Sequence, residues 1–120
     1  MTLTNEDRSN ILNFLLGRLS NISDKEFQKR IWVEGRGPEM DSFEDAVCDF
    51  FGDGEGILEH YQEFGLSIEQ YQALKTFSDK FHIFSRANDF PRFFIDTPEW
   101  DEITKMAKEV LKVFNYQPKK

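Results

Sequence analysis

Four stretches of this chain place a helix-start signal directly ahead of apolar residues that recur every 3.6 positions, and packed helices are the structures that satisfy such a pattern. The first starts at Thr4 or Asn5, has Glu6 and Asp7 in its first turn, and lines up Ile11, Leu12, Leu15, Leu16 and Leu19 until about Asn21. The second has Asp41 and Glu44 at cap spacing. Phe43, Ala46, Val47, Phe50 and Phe51 follow at i, i+3, i+4, i+7 and i+8, with Gly52 as the expected C-terminal stop. The third opens on Ser67 and Gln70, spaced as a capping box, and carries Ile68, Tyr71, Leu74, Phe77, Phe81 and Phe84 to about Arg86. The fourth follows Thr97-Pro98-Glu99, which supplies a cap, a proline at the first helical position and an acid in the first turn. Trp100, Ile103, Ala107, Val110, Leu111 and Phe114 mark its face.

Weaker signals fill the gaps. Ser23 and Glu26 have capping-box spacing and Phe27 with Ile31 fall at i and i+4, yet Ile31, Trp32 and Val33 are good strand residues, so residues 23–34 read as helix or strand. Gly35, Gly37 and Pro38 end that element. Ile57, Leu58, Tyr61 and Phe64 keep helical spacing for a turn or two up to Gly65, and Pro91 lies in a loop. The expectation is an all-α fold: one compact helical bundle or orthogonal array of about five to six helices, forming a single domain over residues 1–120. A chain of 120 residues can bury roughly two-thirds of its unfolded surface, and 13 Phe, 2 Trp and 3 Tyr make the expected core aromatic.

No apolar run approaches the roughly 18 residues that would span a bilayer, and residues 1–8 are too polar for a secretory signal, so a cytoplasmic location is expected. The lone Cys48 sits beside Val47 in a helical pattern and reads as a small buried hydrophobe in a reducing compartment.

Charge is distributed unevenly. Net charge is −7, but residues 37–74 contain ten acids and no Lys or Arg. That tract would set carboxylates against phosphates, which excludes direct nucleic-acid binding by the middle segment. A calcium loop around residues 49–59 fails on register, because Phe51 or Ile57 falls where an oxygen ligand is needed. His60 and His82 lack zinc-motif spacing, no G-x-S-x-G elbow occurs, and the glycine clusters lack the Lys and flanking strand of a phosphate loop. No catalytic residue, metal ligand or cofactor is implied.

Two features remain. The polar face of the second helix and its extension offer Glu44, Asp45, Asp49, Asp53, Glu55 and Glu59 as candidate partner-binding residues, against the plainer reading of a solvated face. The segment 32–38 sets Trp32 against a Gly/Pro loop, which is more often a packing corner than a binding anchor.

The run from Phe27 through Arg30-Ile31-Trp32-Val33-Glu34-Gly35 and Gly37-Pro38-Glu39 to Phe43-Glu44-Asp45-Ala46-Val47-Cys48-Asp49-Phe50-Phe51 resembles small bacterial immunity proteins of polymorphic or contact-dependent growth inhibition toxin systems. The likeness continues through Asp96-Thr97-Pro98-Glu99-Trp100 to Phe114. It implies a cytosolic inhibitor that occludes a cognate protein toxin; charge, hydropathy and the missing catalytic motifs separately argue against an enzyme and against nucleic acid or membrane as a direct partner. Independently of it, nuclease toxins present basic grooves that an acidic protein meets by steered association. The alternative reading is an adaptor or regulatory interaction module whose acidic face docks a basic partner within a larger assembly.

Overall fold

A computed structural model describes residues 3–35 and 41–116. Its elements are α1 (Asn5–Ile22), α2 (Lys25–Phe27) running into a π-helical segment (Gln28–Val33), α3 (Phe43–Glu59), α4 (Ile68–Ala87), α5 (Pro91–Phe94) and α6 (Pro98–Val113). No strand occurs among the described residues. The fold is all-α, and of residues 23–34, open between helix and strand in the sequence, 25–33 are helical.

Local capping chemistry fixes most helix starts. Thr4 and Asp7 exchange side-chain and backbone bonds at 3.0 and 3.1 Å, and Ser67 and Gln70 do the same at 3.1 and 2.9 Å. Two caps fall one residue later than expected. Ser42, rather than Asp41, accepts the Asp45 N–H at 3.0 Å, because the Asp41 carboxylate is drawn inward to the Trp32 indole N–H at 3.0 Å. Asp24, rather than Ser23, accepts the Phe27 N–H at 3.1 Å, because the Ser23 hydroxyl donates back to the Ser20 carbonyl at 2.7 Å. Pro91, expected in a loop, opens the single turn of α5, which sends Phe94 inward.

Gly52 does not stop α3. The helix continues through Gly52, Gly54 and Gly56 to Glu59, since Gly54 and Ile57 extend the buried face of Phe43, Ala46 and Phe50. Burial outweighs glycine's helix penalty of about 0.5–1 kcal/mol per residue. After the C-cap at His60, the turns that follow close in left-handed conformation at Gly65, φ +76°, where the Leu66 N–H donates to the Tyr61 carbonyl at 3.0 Å and Leu66 is buried. Asn115, φ 55°, ends α6 in the same way, with the Tyr116 N–H on the Leu111 carbonyl at 2.9 Å.

The four long helices form a ring: α1 packs on α3 and α6, and α4 packs on α6 and α3. Trp100 sits at its centre, fully buried, with its ring 4.9 Å from Phe94, 5.2 Å from Phe84 and 5.8 Å from Phe43. Each such aromatic contributes about 1.5–3 kcal/mol by burial alone. Trp32 completes this cluster 6.1 Å from Trp100, so the described part of segment 32–38 is a packing corner. Ile68, read as part of the α4 face, is exposed at the first helical position, before the buried stripe of Leu74, Phe77, Phe81 and Phe84 begins.

Candidate partner-binding surface

Helix α3 carries six carboxylates and no basic residue, and helical geometry sorts them. Residues advance by about 100° per position, so Glu44 and Glu55 lie on the flank toward α4, whereas Asp49 and Asp53 lie on the flank toward α1. Asp49 accordingly pairs with Arg18 of α1 at 3.3 Å. The same guanidinium reaches Asp41 at 3.4 Å and stacks 4.9 Å from the Phe14 ring centre. Asp41, with a side chain only 5% exposed, is thus part of the frame rather than of a solvated acidic tract. Asp45 and Glu59 are exposed between the two flanks.

On the α4 flank the acids border apolar surface. Two grooves run between α3 and α4. One, of about 400 Å³, is lined by Phe43, Glu44, Val47, Cys48, Asn88 and Phe90 among others. The other, of about 540 Å³, is lined by Phe51, Glu55, Leu58, Asp79, His82 and Ile83 among others. Among the described residues neither lining includes Lys or Arg. The α3 residues involved, Glu44, Val47, Cys48, Phe51, Glu55 and Leu58, fall at i, i+3, i+4, i+7, i+11 and i+14, a second stripe beside the core stripe.

Four of the six candidate residues from the sequence, Asp45, Asp49, Asp53 and Glu59, therefore lie off this seam, and several residues that line it were not among the candidates. Ile83 is 70% exposed and Phe90 61% exposed, side chains large enough to mark an interaction surface when they border grooves. Phe93, also exposed, lies 6.2 Å from Phe90, with Arg92 stacked 4.9 Å over its ring. Cys48 is exposed in the groove rather than buried: two positions past Ala46, it is carried well off the core stripe.

Most described lysines pair away from the seam. Lys25 reaches Asp101 at 2.5 Å, Lys29 reaches Asp96 at 3.3 Å and Lys80 reaches Glu102 at 3.1 Å, all toward the α6 side. Lys75 is the exception, meeting the groove-lining Asp79 at 3.3 Å. The α3 surface keeps its negative charge apart from the Arg18 contact.

His60 lies 3.5 Å from Glu63 at the exposed end of α3, and His82 stands edge-on to Phe51 at 5.5 Å. Among the described residues no three His, Cys, Asp or Glu side chains group as metal ligands, and no helix is long and apolar enough to cross a membrane. Comparison of the chain with protein-family models, curated proteins and solved structures returns no match in any of the three.

Proposed function

We propose that this chain is a protein-binding inhibitor of immunity type, acting in the cytoplasm on a cognate toxin domain through the α3–α4 face. The observation that carries the reading is the seam itself, where apolar grooves are rimmed by Glu44, Glu55, Asp79 and Asp89. An apolar floor supplies desolvation energy to a complex, and a charged rim supplies orientation and fast encounter. A partner with a basic surface gains both. A nuclease toxin fits because its phosphate-binding groove must be basic. The sequence resemblance to immunity proteins supports the same class.

The test is functional. Expression of the C-terminal domain encoded by the adjacent open reading frame should arrest growth, co-expression of this chain should restore it, and the two should co-elute as a stable complex. Arrest that this chain leaves unrelieved, or a domain that neither arrests growth nor binds, contradicts the proposal.

A further inference from the structure

The form of the seam specifies the element that would occupy it. On α3 the two groove linings extend from Phe43 to Leu58, and on α4 and the following residues they extend in the opposite direction, from Phe90 back to Ser78. The helices are antiparallel neighbours and the grooves lie along one side of both. Val47 and Leu58, one in each groove, are eleven residues or about 16 Å apart along α3. Two packed antiparallel helices with an apolar valley between them accept a third helix laid along it, side chains entering at helical spacing.

We propose that the occupant is an amphipathic helix of the protein partner, whose aliphatic or aromatic side chains enter the two grooves while Lys and Arg on its flanks face the seam carboxylates. This deepens, and rests on, the assignment of the α3–α4 face as the binding face. Charge complementarity selects the occupant. Glu44 of α3 and Asp89 of the loop after α4 border one groove, and Glu55 of α3 and Asp79 of α4, the latter also 3.3 Å from Lys75, border the other, so a basic flank meets carboxylates at both ends of the valley. An acidic helix, or a second copy presenting the same face, would bring like charges together. Arg86, exposed on α4 between the groove-lining residues, is in neither lining.

Cys48, the chain's single cysteine, is exposed and lines one groove, which makes its alkylation by iodoacetamide a direct reporter of occupancy. The probe is a synthetic amphipathic peptide of about 18 residues, roughly five helical turns, with leucines at i, i+3, i+4 and i+7 and lysines on the flanks. A scramble of identical composition and a Lys-to-Glu version serve as comparisons. The amphipathic peptide is expected to slow Cys48 alkylation at least about fivefold, with the scramble and the acidic version giving less than about twofold. Ile83→Lys and Glu55→Lys, both at exposed positions, should abolish protection while melting as the parent does. Equal protection by the scramble, protection that survives both variants, or no protection by the amphipathic peptide overturns the helix-in-groove assignment. None of those results touches the growth-rescue test, and failure of rescue with intact peptide protection would overturn the immunity reading alone.

Discussion

The Gln28 side-chain oxygen accepts the Trp100 indole N–H at 2.8 Å, joining the π-helical segment to α6 inside the core. Its amide nitrogen donates to the carbonyls of Asn21 and Ile22 at 2.9 and 2.7 Å, so one buried side chain also closes the C-terminal end of α1. The π-helical turn, with the Glu34 N–H on the Lys29 carbonyl at 3.0 Å, leads directly from Gln28 toward Trp32.

Gln28→Leu should therefore lower stability by about 2–4 kcal/mol, because it orphans a buried indole donor and two carbonyls while keeping similar volume. Urea denaturation is the measurement. A loss below about 0.5 kcal/mol would show that these groups find other partners.

Gly52 and Gly56 face open space in mid-helix, where an added Cβ meets nothing within 4 Å. Gly52→Ala and Gly56→Ala should each stabilise by about 0.5–1 kcal/mol. Gly65→Ala should destabilise by about 1–2 kcal/mol, since Gly65 holds φ +76°. Thermal melts of the three variants check the opposite signs.

Arg18 holds two carboxylates of unequal burial, Asp41 at 5% and Asp49 at 39% side-chain exposure. A double-mutant cycle should give a coupling of about 1–2 kcal/mol for Arg18→Met with Asp41→Asn and under about 0.5 kcal/mol with Asp49→Asn, because solvent screens the exposed pair. Equal couplings would contradict that division.

Local signals in the sequence read through well where the bonding partners are neighbours. Thr4 with Asp7, Ser67 with Gln70, and Thr97 ahead of Pro98 cap the helices expected of them. Tertiary forces decided the rest. Asp41 has the spacing of a cap, but a Trp32 and an Arg18 brought in from elsewhere claim its carboxylate. Gly52 has the look of a stop, but burial of Ile57 carries the helix past it. The acids of α3 were visible as a tract, and only the positions of α1 and α4 divide them into framework and rim. The stripe of Glu44, Val47, Cys48, Phe51, Glu55 and Leu58 is a periodic signal in the sequence, but Val47 and Phe51 fit the core periodicity of Phe43, Ala46 and Phe50 equally well, which hides it. Ile83 and Phe90 join the seam only because α4 runs antiparallel to α3.

That division also selects which carboxylates to reverse. Asp49 is unsuitable because its pairing with Arg18 mixes stability with binding, whereas Glu44 and Glu55 are exposed on the rim. Glu44→Lys/Glu55→Lys should shift stability by no more than about 1 kcal/mol in total. Glu99→Lys, an exposed acid on α6, serves as the control for charge reversal away from the seam.

The decisive measurement is the stopped-flow association rate of these proteins with the proposed toxin-domain partner across ionic strengths. The parent rate should fall steeply as salt is added, the seam double variant should associate at least about tenfold more slowly at low salt with little salt dependence, and Glu99→Lys should stay within about twofold of the parent. A parent rate indifferent to salt, together with an unchanged rate for Glu44→Lys/Glu55→Lys, would contradict the acidic α3–α4 face as the site of recognition.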